Sequence, residues 1–499
     1  MKPASELDLK FPPAWSWFVD EAIPAYVKGQ YSPDERWKGK PFAEPDAAFF
    51  FRGIAELSEL FTDERPRTLP AYFRHPKFRS AYLLYFLPLQ AAKFVSLFRL
   101  HEPALELMLQ HGLKTGTLRI ADLGAGPGTA SLALVLWLLE RASAENIELP
   151  QLEFHWWDTD RLILQDGKHL LEQLAEYFPR IRGKVRVETY VDPWWRSARA
   201  LRQETSLVLM GHVLNEKGGR PNPPSAQLAP APEADDESIL LDAEDSDSDD
   251  FDEDESPMPS RKSRPKGQTP RDPAAEALGI ILSRAAGGGM LCVEPAARIP
   301  SQQLSRIRDQ LIEHGALAPH ASAIWGPCAH AGACPLADGR DWCHFSLPLH
   351  VPGKWFKEFS KRLSSERHWL KFSYLWLAAP ATRAPVLKAH QRLVVSEPLR
   401  RPGESLPFVL TCEPEQPGRV WLTEPDLRVH RGDVIGLDDP AFADSPHASR
   451  ARASIEEKGI LKARQDYQDR ARKKKAVADD GTKPKRLGKR QRERLKKRT

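Results

Sequence analysis

Cysteine is scarce in this chain, which has five in 499 residues. Proteins that depend on a disulfide scaffold need a denser set, so the sequence excludes that class and favours a reducing compartment. Residues 1–8 contain no apolar signal core. The longest apolar run, 81–95, is interrupted by Pro88, Gln90 and Lys93, so we expect it to be too short and too polar to span a bilayer. These absences predict a soluble, cytoplasmic protein without a membrane partner.

Two charged blocks of opposite sign interrupt an otherwise ordinary composition, in which 41% of residues are hydrophobic. Segment 218–273 begins rich in Pro, Ala and Ser, and its stretch 233–255 is acidic without one basic residue. Residues 441–499 are dense in Lys and Arg, so the net charge of +4 is the sum of opposing blocks. Neither block has enough apolar residues to form a core. We therefore predict a disordered acidic insertion and a disordered basic tail.

The basic tail is typical of segments that bind the phosphate backbone of nucleic acids. It carries no base-reading pattern, so it predicts affinity for RNA and not sequence specificity. A tail that only increases solubility is the alternative. The acidic insertion has two interpretations as well. It is either a solvated loop or an internal polyanion that shields a basic surface until RNA displaces it.

A glycine turn is the main motif of the chain. The apolar run 118–123 predicts a buried strand, glycines follow at alternate positions, and an apolar helix begins at Thr129. Glycine suits such a turn because a Cβ would block a ligand lying against it, and because the turn needs positive φ. An acid precedes the first glycine and no Lys-Ser/Thr follows the last, so neither the dinucleotide fingerprint nor the phosphate loop fits. The motif consists of Asp122, Gly124, Gly126 and Gly128.

This Asp-x-Gly-x-Gly-x-Gly pattern resembles motif I of the class I S-adenosylmethionine (SAM) methyltransferases. In that family the turn lies along the amino-acid part of SAM. The resemblance implies that Asp122, Gly124, Gly126 and Gly128 bind this cofactor. A tight structural turn without a ligand is the alternative.

Strands that alternate with helices predict a parallel sheet with ligands at the carboxyl ends of its strands. After the strand at 118–123, the predicted strands are 152–157, 185–190, 206–211 and 290–293. Asp158, at the end of the second strand, is our candidate for holding the ribose hydroxyls of an adenosine ligand, with Asp160 as the alternative. Glu294 ends the fifth strand, and His212 and Asn215, after the fourth, are weak candidates for a catalytic role.

Three cysteines, Cys328, Cys334 and Cys343, lie in a loop region that contains Gly and Pro. Their C-x5-C-x8-C spacing matches neither the paired cysteines of a zinc ribbon nor the common ferredoxin pattern. A soft four-coordinate centre needs a fourth ligand. The candidates are Cys412 and, as alternatives that would favour zinc over iron–sulfur, His330 and His344. The remaining cysteine, Cys292, lies in the fifth strand and is predicted to be a buried apolar residue.

Further motifs occur together with the glycine turn in one order along the chain. They are Val213-Leu-Asn-Glu216, Val293-Glu-Pro295, Pro327-Cys…Cys334-Pro-Leu…Asp341-Trp-Cys-His-Phe-Ser346, Lys371-Phe-Ser-Tyr-Leu375 and Arg392-Leu-Val-Val-Ser-Glu-Pro-Leu399. Over residues 70–435 without the acidic insertion, the chain resembles the methyltransferase-like family of small-ribosomal-subunit assembly factors, known from mitochondria and with bacterial relatives. The resemblance implies a [4Fe–4S] cluster on Cys328, Cys334, Cys343 and Cys412, with zinc as the alternative metal, and association with small-subunit ribosomal RNA (rRNA).

The predicted fold class is α/β: a Rossmann-like class I SAM methyltransferase sheet with an N-terminal helical cap, a Cys-rich metal-binding segment and a small C-terminal β-rich part. The predicted divisions are a cap (1–115), a SAM domain (116–300), a Cys-rich and β-rich segment (301–440) and the tail (441–499). We expect a monomer.

The sequence leaves two main functions open. One is a SAM-dependent methyltransferase that acts on rRNA, and the other is a non-catalytic assembly factor that binds SAM, an iron–sulfur cluster and rRNA. The Asn/Asp-Pro-Pro-Tyr/Phe signature of amine methylation is absent after the fourth strand, where segment 211–216 stands instead. A methyltransferase with a non-RNA substrate is a weaker third possibility.

Overall fold

The computed structural model describes residues 13–33, 35–62, 72–201, 205–214, 272–285, 289–316, 324–328, 330–338, 341–349, 351, 353–363, 369–378, 387–388, 390–400, 406–414, 416–424, 427, 429–439 and 441–443. Three of the sequence predictions fall outside these ranges. They are Asn215, the acidic insertion up to residue 271, and the basic tail from residue 444.

The N-terminal part is helical, as predicted. Its α-helices are α1 (Pro13–Trp17), α2 (Ile23–Tyr31), α3 (Glu35–Lys38), α4 (Glu44–Thr62), α5 (Pro76–Ala81), α6 (Leu87–Leu100) and α7 (Glu102–Thr115). Shorter turns of π-helix (Phe18–Ala22, Tyr82–Phe86) and 3₁₀-helix (Tyr72–Arg74) connect some of them. Large side chains from several of these helices, among them Trp15, Phe18 and Leu57, are fully buried. These buried side chains form part of the largest hydrophobic core.

Segment 76–100 is helical throughout and longer than the apolar run seen in the sequence. By length and composition alone it could span a bilayer, but 89% of its most apolar window is buried within the protein. No other helix among the described residues passes that test. The segment packs in the largest hydrophobic core, where Phe94 and Phe98 are at most 1% exposed. It is therefore a core helix of this protein.

A central sheet begins after α7. Its first five strands are β1 (Thr117–Leu123), β2 (Gln151–Asp158), β3 (Val185–Val191), β4 (Leu207–Gly211) and β5 (Met290–Pro295). These strands are parallel and lie in the order β3-β2-β1-β4-β5. This order is that of a doubly wound Rossmann-like sheet, so the predicted α/β class is confirmed at that level.

The helices that connect these strands lie at α8 (Thr129–Glu145), α9 (Arg161–Tyr177), α10 (Ser197–Ala200) and α11 (Pro273–Leu282). Alternation along β1 divides the core between the two faces of the sheet: Ile120 packs in one hydrophobic cluster, while Ala121 and Leu123 pack in another. A sheet that is covered on both faces explains why β4 reads as a continuous apolar run.

Strands from beyond residue 300 complete the same sheet. After α12 (Arg298–Glu313) the chain forms β6 (Ile324–Gly326), β7 (Phe345–Pro348), α13 (Lys354–Arg362) and β8 (Trp369–Leu377). Strand β8 pairs antiparallel with β5, placing Leu375 opposite Cys292, and both β6 and β7 pair with β8. The cysteine-containing segment is thus attached directly to the sheet that carries the glycine turn.

The remaining strands are short, in line with the predicted β-rich part. They are β9 (Gln391–Leu393), β10 (Phe408–Thr411), β11 (Gly418–Leu422), β12 (Val434–Gly436) and β13 (Phe442–Ala443). Strands β9 and β12 form an antiparallel pair, and β10, β11 and β13 form a small sheet. By contacts the chain divides into a large unit (1–397, 410–418 and 429–436) and a small one (398–409, 419–428 and 437–499). The glycine turn and all the cysteines belong to the large unit.

Candidate cofactor site and cysteine cavity

The glycine turn joins β1 to α8 at the carboxyl edge of the sheet. Gly124, Gly126 and Gly128 all have positive φ, at 69°, 53° and 70°, a region that side chains with a Cβ rarely adopt. The backbone N–H groups of Gly124 and Ala125 donate to the carbonyl oxygen of Trp157, at 2.7 and 2.9 Å. These two bonds fix the turn against the end of β2.

The three glycines face different surroundings. A Cβ at Gly124 would lie 2.1 Å from Val213, and a Cβ at Gly128 would lie 2.3 Å from the ring of Trp156. A Cβ at Gly126 would lie 3.9 Å from its nearest neighbours outside the adjoining residues, which are ring atoms of Phe73. Gly124 and Gly128 are therefore required by packing inside the protein. Gly126 is also buried, but it is the one of the three at which an added Cβ would find room, so the turn is sterically open at this position.

Asp158 lies at this open position. One carboxylate oxygen accepts the N–H of Gly126 at 2.8 Å, and the other accepts the N–H of Asp160 at 2.9 Å. Burial raises the pKa of this carboxyl group, and the two backbone N–H donors oppose the shift. Asp160, the alternative candidate, caps α9 by accepting the N–H groups of Leu162 and Ile163. The structure therefore brings Asp158 to the turn and gives Asp160 a structural role.

Asp122 is brought to the same place but lies beneath the turn, 1% exposed. Its carboxylate accepts both the N–H (3.1 Å) and the hydroxyl (2.7 Å) of Ser131, and this hydroxyl in turn accepts the indole N–H of Trp156 at 2.9 Å. Burial raises the pKa of Asp122 to about 7, against the lowering effect of the Ser131 bonds. The side chain that the motif predicted to bind a cofactor ties the first turn of α8 to β1 and β2.

A polar network above the turn holds Phe73 in place. Arg79 donates to the carbonyl oxygen of Phe73 at 2.7 Å, and its Nε lies 3.1 Å from the hydroxyl of Tyr31. The carboxylate of Asp166 on α9 accepts the hydroxyl of Tyr26 at 2.6 Å and that of Tyr31. The network connects α2, α5 and α9 around the 3₁₀ turn that carries Phe73. The N-terminal helices thus position an aromatic side chain beside Gly126.

The loop after β4 is fixed from the neighbouring strand. The backbone N–H groups of Val213 and Leu214 both donate to one oxygen of Glu294, at 3.1 and 2.9 Å, and Glu294 is 1% exposed. His212 has a positive φ of 60° and donates its N–H to the carbonyl of Val293 at 2.7 Å. A non-glycine residue in this region is uncommon and is found more often at functional sites. His212 therefore remains a candidate beside the site.

A second site lies beyond β5, where the four cysteines predicted as ligands line one cavity. They reach it from separate places: Cys328 follows β6, Cys334 lies in a loop, Cys343 precedes β7, and Cys412 follows β10. The cavity is also lined by Arg308 of α12, Tyr374 of β8 and several apolar side chains. The sequence predicted this grouping, including Cys412, which is the most distant along the chain.

The backbone around the cysteines is held by specific contacts. Both carboxylate oxygens of Asp309 accept the N–H of Cys334, at 2.9 and 3.1 Å. The N–H of Cys412 donates to the carbonyl of Leu393 at 2.8 Å, which ties it to β9. The ring nitrogen Nε2 of His330 lies 3.3 Å from the sulfur of Cys412. The loops therefore present the thiols from a fixed frame.

His344, one of the two alternative ligands, and Cys292, predicted to be a core residue, do not line the cavity. The imidazole of His344 faces the carbonyl of Trp342, with Nδ1 at 3.2 Å. Cys292 is 1% exposed in β5, and its sulfur lies 3.8 Å from that of Met210. Burial raises the pKa of the Cys292 thiol. Cys292 is a buried residue of the core, as predicted.

The thiols of the cavity share a common electrostatic environment. Burial raises the pKa of Cys334 to about 11 and that of Cys343 well above its ordinary value. Burial also raises the pKa of Cys328, and the Arg308 guanidinium opposes that shift. Among the described residues, no three His, Cys, Asp or Glu side chains are arranged so that they could share a single metal ion. Burial therefore favours the neutral thiol at Cys328, Cys334 and Cys343.

The sequence predictions missed three residues that shape these sites: Phe73 beside Gly126, Ser131 beneath the turn, and Arg308 at the cavity. Of these three, only Arg308 could have been identified from a pattern in the sequence. Leu304, Arg308 and Leu311 follow at the i, i+4, i+7 spacing of one helix face. An arginine within an apolar face indicates a buried cation with a specific partner.

Comparison with known proteins gives one family match. Residues 278–424 match the family described as mitochondrial small ribosomal subunit Rsm22. This range is less than a third of the chain, but it includes β5, α12, β8 and the four cavity cysteines. No match was found among curated proteins.

Solved structures give distant matches. One is the CMeT domain of the citrinin polyketide synthase (16% identity, TM-score 0.20), where the alignment covers 34% of this chain and 41% of the other, about two fifths of that domain's chain. An O-methyltransferase family protein from Burkholderia thailandensis has 12% identity, coverage of 72% and 73%, and a TM-score of 0.24. A Listeria monocytogenes protein described as a class I SAM-dependent methyltransferase has 10% identity, coverage of 69% and 92%, and a TM-score of 0.26.

At these identities and TM-scores the solved structures carry no argument, and the assignment of fold rests on the sheet order itself. The family match is independent of them, and it covers the cysteine motif that carries the sequence resemblance. The predicted resemblance to the family of small-ribosomal-subunit assembly factors is therefore confirmed over residues 278–424 by the match to the Rsm22 family.

Proposed function

We propose that this protein binds SAM at the glycine turn and acts on, or binds, the RNA of the small ribosomal subunit. The observation that carries the proposal is the combination of the two sites on one sheet. The turn at β1 has an open glycine beside an acid at the end of β2, and the cysteine cavity lies in the segment that matches the Rsm22 family.

The proposal of SAM rests on the chemistry of the turn. Gly126 leaves room for a ligand against the backbone, and Asp158 holds the carboxylate expected to accept two ribose hydroxyls. Asp158 is the acid that we propose faces the ligand, whereas Asp122 lies beneath the turn, where burial raises its pKa to about 7. Bound SAM would supply an electrophilic methyl group. The residues around the turn would orient it and exclude water through the ring of Phe73.

Methyl transfer from bound SAM is our first candidate for the activity of the site. An Asn/Asp-Pro-Pro-Tyr/Phe segment, which would hold an exocyclic amine, is absent after β4 in the sequence. A ring nitrogen or a carbon of a base is therefore the better kind of methyl acceptor. His212, whose backbone has a φ of 60° in the loop after β4, is our candidate for orienting a substrate. The absence of that segment also favours the second candidate, a non-catalytic assembly factor. So does Glu294, because it already accepts the backbone N–H groups of Val213 and Leu214.

Label transfer separates these two candidates. Purified protein is incubated with methyl-labelled SAM and immature small subunits, and both bound protein and incorporated label are measured. Label in rRNA supports the enzyme. Stable binding to the particles without label leaves the assembly factor. Absence of both SAM binding and particle binding contradicts the whole proposal.

For the cavity we propose a [4Fe–4S] cluster held by Cys328, Cys334, Cys343 and Cys412. The donor set fits, because four thiols without a competing carboxylate in the lining suit soft iron–sulfur chemistry. The buried Nε–H of Arg308 has no hydrogen-bond partner among the described residues, so the cavity holds a donor that an anionic sulfur would satisfy. The choice of a cluster over zinc rests on the resemblance to the family of small-ribosomal-subunit assembly factors, whose family match covers these four cysteines. Such a cluster would supply a redox-active structural centre.

Metal analysis with an absorption spectrum tests the cluster. Protein purified without oxygen should be brown, absorb broadly near about 400 nm, and contain iron and sulfide, as thiolate-ligated clusters do. Colourless protein with one zinc per chain would replace the cluster by zinc.

For rRNA binding we propose that the basic tail provides nonspecific affinity. The tail lies outside the described residues, and the proposal rests on its charge. Removal of residues 450–499 should weaken binding to rRNA and flatten its dependence on salt. Unchanged affinity and salt dependence would favour a methyltransferase with a non-RNA substrate.

A further inference from the structure

Arg308 is an unusual residue for the interior of a helix that packs on a sheet. It is 1% exposed, and its side chain lines the cavity together with the four cysteines. A buried guanidinium is costly unless hydrogen bonds and opposite charge compensate for the lost water. The compensation found among the described residues is incomplete.

Two of its three nitrogen positions are satisfied. Nη1 donates to the carbonyl oxygen of Gly332 at 2.6 Å and contacts the carboxylate of Asp309, and Nη2 donates to the carbonyl oxygen of His330. Both carbonyls lie in the loop between Cys328 and Cys334. Arg308 therefore holds this loop against α12, while Asp309, the next residue, holds the N–H of Cys334.

The third nitrogen, Nε, is buried and has no hydrogen-bond partner among the described residues. The guanidinium lies close enough to Cys328 and Cys334 for their charges to affect it. The one carboxylate in contact, Asp309, has a side chain that is 27% exposed, so it is only partly available to neutralise a buried cation. The remaining positive charge and the remaining donor both belong to the cysteine cavity.

We propose that Arg308 is the positioning and counter-charge residue of this cavity: it fixes the Cys328–Cys334 loop through two carbonyls and offers Nε–H and a positive charge to anionic sulfur. The inference rests on the proposed cluster. A fixed positive charge beside a redox centre stabilises the more negative, reduced form. Arg308 therefore raises the reduction potential of the cluster.

The test uses the full chain purified without oxygen, in four forms: wild type, R308Q, R308K and R306Q. Arg306 is a matched control because it lies two residues away on the same helix, half exposed, in an ion pair with Asp338. Iron and sulfide per chain, far-UV circular dichroism and the midpoint potential are measured. Dithionite supplies the one electron of the reduction, and no bond to the four thiolates is formed or broken.

We expect R306Q to match the wild type. R308Q should show about tenfold less reduced cluster at a fixed potential, which corresponds to a midpoint about 59 mV more negative for a one-electron couple. R308K keeps the positive charge but loses the planar guanidinium with its fixed N–H donors, so its midpoint potential should lie nearer to that of the wild type. A second result would also support the inference: R308Q contains no iron, R308K does, and the circular dichroism of both matches the wild type. The protein would then need the positive charge in order to retain the cluster.

Two results would overturn the inference while leaving the cluster in place. One is an R308Q protein with wild-type iron content and potential. The other is loss of iron together with altered circular dichroism in both R308Q and R308K, which would make Arg308 a residue of the fold alone. Wild-type protein without iron or sulfide would remove the cluster from the proposed function, and this inference with it.

Discussion

The residues of the glycine turn are neighbours along the chain, whereas those of the cysteine cavity come from α12, two loops and the ends of β6 and β10. Asp122 to Gly128 span seven consecutive positions, but Arg308 and Cys412 are 104 residues apart. A turn of consecutive residues keeps its shape through local backbone geometry. A cavity that is assembled from distant segments depends on the whole fold and on whatever bridges the segments.

The two sites also differ in charge. Carboxylates, Asp122 and Asp158, lie at the turn, while a buried guanidinium, that of Arg308, lies at the cavity. The first arrangement suits a ligand with hydroxyl donors and a positive sulfonium, and the second suits anionic sulfur. The two sites, which share one sheet, therefore offer a ligand groups of opposite charge type. Substitutions at each site can show whether the two are independent.

The largest effect is expected at the cavity, from Cys343→Ser. If the four thiolates bind a cluster, loss of one ligand removes binding free energy that also stabilises the fold. We expect iron content to fall by at least half and the free energy of unfolding to fall by about 5 kcal/mol, part of the roughly 10 kcal/mol known for small structural metal sites. Metal analysis and urea unfolding under anaerobic conditions measure both.

Cys292→Ser is the control, because Cys292 is a buried cysteine of the same sheet that lies outside the cavity lining. It should leave the iron content unchanged. SAM affinity, measured by calorimetry, should differ by less than about twofold between C343S and the wild type if the sites are independent. Unchanged iron and stability in C343S would show that Cys343 is not a ligand.

The second prediction concerns the pH dependence that Asp122 gives to the turn. Burial raises its pKa from the ordinary 3.8 to about 7. Between these values the folded protein binds a proton that the unfolded chain has released, so the contribution of Asp122 to stability falls as pH rises from about 4 to about 7. The full shift corresponds to roughly 4 kcal/mol as an upper bound.

Asp122→Asn removes this titration and keeps an acceptor for Ser131. The stability of D122N relative to the wild type should therefore be greater at pH 8 than at pH 4, as urea unfolding at both pH values would show. Asp192→Asn, which removes a carboxylate from an ion pair with Arg196 on the surface, should show no such difference. A constant difference between D122N and wild type over this range would mean that Asp122 ionises freely within the fold.

The sequence predicted most of the turn correctly because its signals are local. The strands β1 to β5 lie within two residues of the predicted ranges, since short apolar or alternating runs between helical patterns indicate the strands of a parallel sheet. Asp158 could be placed because parallel strands end at one edge. The role of Asp122 could not, because the partner that decides it, Ser131, lies across the turn on a helix whose rotation the pattern does not give.

The cavity was predicted for a different reason. Spacing alone left Cys412, His330 and His344 as alternatives, and the resemblance to a family chose Cys412, which the structure places with the other three. Neither spacing nor resemblance indicated Arg308, because a buried charge is identified by its three-dimensional partners. The attachment of β8 to β5 was also missed, since an antiparallel strand from beyond residue 300 is a long-range pairing.

The third prediction compares two glycines of the turn. Gly128→Ala would place a Cβ 2.3 Å from Trp156 at a φ of 70°. Overpacking and the left-handed backbone together should cost about 3 kcal/mol of stability. Gly126→Ala, at a φ of 53° with only Phe73 nearby, should cost about 1 kcal/mol but weaken SAM binding, because its methyl group would point to the ligand side.

Urea unfolding and SAM calorimetry on the two variants separate packing from binding. Equal losses of stability in G126A and G128A would contradict the division of the turn into a packed side and an open side. If G126A binds SAM as tightly as the wild type, the ligand does not lie against this glycine.

The smallest effect is expected from Asp158→Asn, and it tests the acid that distinguishes the turn from the cavity. The amide keeps one acceptor for the N–H of Gly126 or Asp160 and turns its NH2 group toward the other N–H, so the fold should lose about 1 kcal/mol of stability. It loses the charge and one acceptor for ribose hydroxyls, so SAM affinity should fall about tenfold, or about 1.4 kcal/mol.

Asp160→Asn is the control: asparagine also caps helices well, so α9 should be unaffected and SAM affinity should stay within about twofold. If D160N weakens SAM binding more than D158N does, the two acids have been assigned the wrong way round, and the ligand lies nearer the start of α9 than the open face of Gly126.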